Sequence, residues 1–279
     1  MNVGLALSGG GVRGAAHIGV IRALEENGIT ISAISGTSAG SIVAALYGMG
    51  YKEDEIIKLF RYFSKSVLGL SPKSLFTGVK EIRGVSLGGL TSSYNIESAI
   101  KEACKLKGIK NLQDIKMPIA IPTTDLITEK EYIFTNSEKL QGEKYLRDIE
   151  IGKAVRASSC FPGMYSPFEY KGFQFVDGGI YDNLPVEQVK NMTEDKVIAI
   201  KFKSKPVRKQ KTLYNIAMHS LDLMNDAIIR ESEKISDYVL EIDLKEVKPF
   251  SMSKIDFCYK EGYMQTLDNI QKIKKCLKN

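Results

Sequence analysis

The chain has 279 residues, 43% of them hydrophobic and 26% charged, with a net charge of +6 from 39 basic and 33 acidic side chains. That length can bury a large core without disulfide help, and the composition excludes a disordered chain. The lysines are spread along the sequence rather than gathered on one element, which argues against a nucleic-acid partner and is compatible with mild attraction to an anionic lipid surface or simply with a solvated surface.

In chain order, Val3 to Ser8 is a short continuous apolar run ending at glycines, as a buried parallel strand does. No cleavable apolar leader precedes it, and no apolar run approaches the ~18 residues a membrane span needs. A soluble, cytoplasmic protein, at most peripheral to a membrane, is the expectation. Ala15 to Asn27 repeats Ile18, Val20, Ile21 and Leu24 at helical spacing, with Asn27-Gly28 as its stop. Ile31 to Ser35 reads as a second strand, followed by Gly36-Thr37-Ser38-Ala39-Gly40 and a helix through Ser41 to Gly48. Strand, glycine turn, helix, repeated, is the βαβα order of a parallel sheet with right-handed crossovers.

Glu53 to Lys107 reads as mainly helical, interrupted at Gly84-Val85-Ser86-Leu87-Gly88-Gly89. Leu68-Gly69-Leu70, Leu75-Phe76 and Leu87-Gly88-Gly89-Leu90 could form a lid over an acyl groove, although ordinary helix packing accounts for such residues more simply. Pro118 to Pro122 and Glu131 to Phe134 resemble a strand pair around the turn at Asp125 to Lys130. Ile151 to Ser158 is helix-like, and Phe173 to Val176 alternates into the turn Asp177-Gly178-Gly179. Val197 to Phe202 is a last apolar strand, and a helix follows with Leu213, Ile216, Ala217, Leu221, Met224 and Ile228 on one face. The basic tail Lys272 to Lys278 could touch anionic lipid, although a frayed basic terminus is the simpler reading. No repeat or linker divides the chain, so residues 1–202 are expected to form an α/β domain with residues 203–279 packed on it as a helical extension. Cys104, Cys160, Cys258 and Cys276 lack metal-ligand spacing, which points to free thiols and no metal site.

The glycines after the first strand, Gly9-Gly10-Gly11-Val12-Arg13-Gly14, fit G-x-G-x-x-G. A dinucleotide site also needs an acidic residue ~20 positions on, at the end of the second strand, to hold the ribose. That strand ends Ile34-Ser35-Gly36, and Glu25 and Glu26 come too early. A P-loop fails as well, because no Gly-Lys-Ser/Thr closes the run. The second strand ends instead in Gly36-Thr37-Ser38-Ala39-Gly40, a G-x-S-x-G. On a strand-to-helix turn this motif exposes a serine hydroxyl at a helix N-terminus, where free amides favour developing negative charge.

A nucleophilic serine needs a base. His219 follows Ser38 and Asp177 in the order of a hydrolase triad, yet it aligns with Asp222 and Asp226 on a polar helix face and reads as solvent-exposed. His17 aligns with Val20, Ile21 and Leu24 and reads as a packed, neutral ring. Among carboxylates, Asp177 stands at the end of an aromatic strand, where active-site groups of parallel sheets collect. Periodicity alone separates it little from Asp125.

Taken in order, Gly9 to Gly14, Gly36 to Gly40, Ala157-Ser158-Ser159-Cys160-Phe161-Pro162, Asp177-Gly178-Gly179 and Asp182-Asn183-Leu184-Pro185 resemble the patatin-like phospholipase family over roughly residues 3–202. The resemblance implies a mainly parallel α/β sheet flanked by helices on both faces, and a Ser–Asp dyad of Ser38 and Asp177. It implies an oxyanion hole of backbone amides from Gly10, Gly11 and Val12, with Arg13 steadying the loop or meeting substrate phosphate. Gly9, Gly14, Gly36, Gly40, Gly178 and Gly179 are the motif glycines. His17 matches a position often occupied just after the loop. The expected substrate is a phospholipid, lysophospholipid or related acyl ester, with no cofactor, metal or nucleotide. A non-catalytic lipid-binding or regulatory role on the same fold is the second reading.

Overall fold

The computed structural model describes residues 1–67, 93–204, 213–245 and 247–278. The first unit is β1 (Asn2–Leu7), α1 (Ala15–Glu26), β2 (Thr30–Gly36) and α2 (Ala39–Gly48), as the βαβα pattern predicts. Helices α3 (Glu53–Val67) and α4 (Tyr94–Lys107) follow. The glycine interruption and the lid candidates between them lie outside the described residues. Then come β3 (Ile119–Asp125), β4 (Lys130–Thr135), β5 (Tyr145–Leu146), α5 (Ile151–Ser158), β6 (Phe168–Tyr170) and β7 (Phe173–Asp177). The chain ends with α6 (Val186–Met192), β8 (Val197–Phe202), α7 (Leu213–Ile235), β9 (Tyr238–Ile242) and α8 (Ile255–Lys278).

The strands form one sheet in the order β5-β4-β3-β2-β1-β8-β9, with β7 also on β3 and β6 on β7. The strands β3, β2, β1, β8 and β9 run parallel. Strand alternation sends Val3, Leu5 and Leu7 of β1 into a large core beneath α1, α2 and α8. The opposite face carries small side chains, Ala6, Ala33, Ala120 and Ala199, one on each central strand, and these let α6 lie close with Val186, Val189 and Met192. Helices therefore cover both faces, so the central strands are apolar on both sides, as the continuous runs implied.

Residues after 203 were expected to be helical, but they also supply β9, which extends the sheet beside β8. Alternation in Tyr238-Val239-Leu240-Glu241-Ile242 buries Leu240 and Ile242 at this edge. The tail does not fray: α8 continues to Lys278 and buries Ile273. Its close approach to α1 is made at two glycines, since a Cβ on Gly19 would stand 2.1 Å from the Tyr259 carbonyl and one on Gly262 2.1 Å from that of Ala16. The apolar face expected on α7 is only partly covered, for Ile216 and Met224 are 48% and 61% exposed while Ile229 is buried. The helix is held to the body through its C-terminal half, so helical periodicity there overstates burial.

Candidate active site

Two strands bring the site together along one edge of β3. Strand β2 runs parallel to its first half, with Ser35 opposite Ala120. Strand β7 runs antiparallel to its second half, with Asp177 opposite Thr123. The two strands therefore approach head to head, and their carboxyl ends, at Ser38 and Asp177, converge over the middle of β3.

Ser38 caps α2 in a strained backbone conformation, φ 53° and ψ −119°. A non-glycine residue there costs on the order of 1–3 kcal/mol and must be held by its surroundings. The holding groups are visible. Thr37 N–H donates to the Leu7 carbonyl at 3.1 Å, and the Ser38 amide donates to Ser158 Oγ at 3.1 Å. The Ser38 carbonyl accepts from Ser41 Oγ at 2.6 Å. The turn is tight enough to require both motif glycines: a Cβ on Gly36 would lie 2.3 Å from the Gly40 carbonyl, and one on Gly40 2.4 Å from that of Leu7. The result is a serine that remains partly open to solvent at a helix N-terminus.

Asp177 is 3% exposed. Strand period puts it on the same face as Phe173 and Phe175, whose rings stack 5.1 Å apart. Burial pushes its carboxyl up to about 6, against the opposing pull of the Gly179 amide and the nearby Ser38 hydroxyl. Oδ1 accepts from Gly179 N–H at 2.9 Å, while Oδ2 is buried with no formed hydrogen bond. The serine hydroxyl is thus near enough to favour the charged carboxylate without completing a bond, a gap that substrate-free sites often show.

The glycine loop lies beside the elbow, and Gly14 abuts Ala39 at the start of α2. Among the described residues, the amides of Gly10 and Gly11 meet no hydrogen-bond acceptor. The Val12 amide differs from expectation: it donates to the Pro249 carbonyl at 2.7 Å, so in this conformation it braces the loop rather than facing the site. Nothing in the spacing of the motifs pointed to residue 249. Arg13 Nε donates to the Gly10 carbonyl at 3.1 Å, and its guanidinium lies over the Phe202 ring. Burial lowers its pKa, opposed first by the Asp222 carboxylate and less by Asp226.

His17 is the packed ring that the helix pattern implied. Its Nε2 lies 2.8 Å from the Ser8 carbonyl, its face meets Phe202 at 4.8 Å, and burial pushes it down to about 4. His219 is half-buried on α7. Among the described residues, no hydrogen bond joins it to Ser38 or Asp177. Asp125 is fully engaged in the turn after β3, accepting from Thr128 and Gln174. Ser158 and Asn183 were visible only as motif members, and their partners required the structure.

The fold and the site together define an α/β protein in which a strained serine at a strand-to-helix turn faces a buried aspartate beside a glycine-rich loop. Within that class, the chain belongs to the patatin-like phospholipase family, whose model matches residues 5–190. It is 30% identical over 198 residues to an uncharacterized NTE family protein of Mycobacterium tuberculosis, a match covering 71% of this chain and 48% of the relative. It is 32% identical over 202 residues to lysophospholipase NTE1 of Meyerozyma guilliermondii, covering 71% of this chain and 12% of that protein. The chain therefore spans about half the length of the mycobacterial relative and much less of the yeast one. Among solved structures, VipD from Legionella pneumophila superposes with TM-score 0.54 at 17% identity, covering 97% of this chain and 67% of that chain. The type III effector ExoU gives 0.52 at 16% identity, covering 97% and 53%. These two share the fold. No helix among the described residues is long and apolar enough to cross a membrane.

Proposed function

We propose that the chain is a lipid acyl hydrolase of the phospholipase A or lysophospholipase type, working through a Ser38–Asp177 dyad. The observation that carries the reading is the pairing itself: a strained, partly open serine next to a buried carboxyl with one unbonded oxygen. Family membership and the lysophospholipase relatives supply the substrate class.

In this scheme Ser38 Oγ attacks the ester carbonyl carbon while Asp177 Oδ2 takes the hydroxyl proton. A free aspartate near 3.9 is a feeble base toward an alcohol, and the raised affinity of Asp177 for protons brings it closer to the task. The free amides of Gly10 and Gly11 receive the oxyanion, and one such donor is worth about 2.7–4 kcal/mol. The alcohol or lysolipid leaves with the proton returned by Asp177, and an acyl group remains on Ser38. Water, deprotonated by the same carboxylate, then attacks the acyl carbon, and Asp177 passes that proton to Ser38 Oγ as the fatty acid leaves. The nucleophile, the base and the oxyanion donors all come from this chain, and cytoplasmic action at a lipid surface completes the proposal.

The test is a panel of p-nitrophenyl esters and defined phospholipids assayed with wild type and Ser38→Ala. Turnover that falls to background in the variant, with folding intact by circular dichroism, is expected. Turnover that survives the substitution overturns the dyad. Lipid binding without any turnover in wild type favours the non-catalytic reading.

A further inference from the structure

The chemistry above leaves Asp182-Asn183-Leu184-Pro185 without a part, yet its first two residues touch all three segments of the site. The Asp182 carbonyl accepts the Thr37 hydroxyl at 2.6 Å, immediately before the serine. The Asp182 amide donates to the Gly178 carbonyl at 2.9 Å, immediately after the aspartate. Gly9 N–H, at the head of the glycine loop, is shared between two oxygens of Asn183, the backbone carbonyl at 3.2 Å and Oδ1 at 3.1 Å.

Steric contacts locate the Asn183 side chain at the centre of this arrangement. A Cβ on Gly9 would stand 2.4 Å from Asn183 Oδ1 and 3.3 Å from Ser38 Cβ, so the loop is held between the two. A Cβ on Gly179 would stand 3.1 Å from Asn183 Oδ1 and 3.2 Å from Asp177 Oδ1. One amide oxygen thus lies against the backbone of both the oxyanion loop and the aspartate turn. The backbone contacts of residue 182 survive most substitutions, whereas the bond from Gly9 to Oδ1 depends on the side chain at 183.

We propose that Asn183 is a positioning residue that sets the glycine loop in register with Ser38 and Asp177. The assignment rests on the hydrolase reading of the same site. Asn183 touches neither the reacting ester nor the transferred proton; it determines where the Gly10 and Gly11 amides point when the oxyanion forms. A misplacement of about 1 Å at such donors can cost on the order of 10²-fold in rate while leaving substrate binding almost unchanged.

The experiment compares wild type, Asn183→Ala and Asn183→Asp, counting active enzyme by titrating Ser38 with a fluorophosphonate. For Asn183→Ala, kcat per titrated serine should fall roughly 10–100-fold with KM within about twofold. Asn183→Asp keeps an acceptor for Gly9 and adds negative charge beside Gly179, so its kcat should exceed that of the alanine variant at high pH. Its pH–rate midpoint should move upward by about half a unit or more. Amide hydrogen exchange over residues 9–12, read without any substrate, should quicken about tenfold or more in the alanine variant and return toward wild type in the aspartate one. Unchanged kcat per titrated serine in Asn183→Ala, unchanged exchange, or an aspartate variant no better than alanine at any pH each overturns the assignment. Absence of Ser38-dependent turnover in wild type would instead overturn the hydrolase reading, and the exchange measurement would still decide whether Asn183 holds the loop.

Discussion

Asp125 and Asp177 stand two residues apart on one antiparallel pair, Asp125 opposite Phe175 and Asp177 opposite Thr123, and both are buried. Their surroundings set them in opposite directions. Asp125 Oδ2 accepts from the Thr128 amide at 2.8 Å and its hydroxyl at 2.7 Å, and Oδ1 accepts from the Gln174 amide at 2.7 Å. Burial works against its charge, but those donors outweigh it and its pKa lies below the ordinary range. Asp177 has one backbone donor and a bare oxygen, and burial prevails, up to about 6. Both are buried, and the supply of donors sets whether the carboxylate is held ionised, as at Asp125, or drawn toward its protonated form, as at Asp177.

The most direct way to break this contrast is to neutralise each aspartate in turn. Asp177→Asn should lower kcat by roughly 10²–10⁴-fold, the usual worth of a general base. Asp125→Asn should leave kcat per folded molecule within about threefold, since its oxygens hold a turn rather than a proton in flight. Equal losses in both variants, assayed on one ester with Ser38 titrated, would show that the distinction is false.

Stability should separate the pair with opposite sign. Asp177 has a folded pKa above its unfolded value, so the folded state binds its proton more tightly. Stability from this group is therefore greatest below about pH 4 and is lost as pH rises towards 6, at a cost of about 3 kcal/mol above that window. Asn at 177 removes the cost, and thermal melts at pH 7.5 should show a higher Tm in an inactive protein. Asp125 has a depressed folded pKa, so its contribution is present above the unfolded value and is lost as pH falls through the folded one. Asn at 125 should lower Tm by the equivalent of ~1–3 kcal/mol, because its donors are left without a charged acceptor. A lower Tm in both variants would mean that Asp177 is an anchor as well.

A smaller effect sharpens the same point in the pH profile. With Asp177 as the base, kcat/KM should be flat above about pH 7 and fall roughly tenfold per unit below a midpoint near 6. Asp125→Asn should keep that midpoint. A midpoint that moved with residue 125 would place the titrating group on the wrong strand residue.

Much of this architecture was legible because it depends on local rules. The βαβα order, the serine turn and the glycine loop follow from apolar runs broken at Gly9, Gly36 and Gly40, and the packed state of His17 follows from its place on an apolar helix face. The choice between Asp125 and Asp177 was barely legible from periodicity, since both end apolar strands before turns. What separates them is the partners of each oxygen, and these come from Thr128, Gln174 and Gly179 through tertiary packing. Pro249 at the Val12 amide was illegible for the same reason, being brought to the loop by residues remote in sequence. Strand β9 was missed because a five-residue edge strand following a long helix carries a weak period.

His219 supplies the smallest expected effect and the last check on the pair. It holds the right place in chain order for a triad, but chain order carries no geometry. In the fold it rides on α7, whose outer face is open, and among the described residues no hydrogen bond joins it to Ser38 or to the buried carboxyl of Asp177. The histidine that does lie close to the loop, His17, has Nε2 at the Ser8 carbonyl and is held neutral by burial, so it is not free to shuttle a proton at Ser38. A base built from Asp177 alone therefore predicts that His219→Ala changes kcat/KM by less than about twofold, with the midpoint near 6 preserved. Loss of turnover in that variant, with Ser38 still titratable, would transfer the base from strand β7 to helix α7. The contrast between the two aspartates would then describe stability alone, because neither carboxylate would be taking the proton from Ser38.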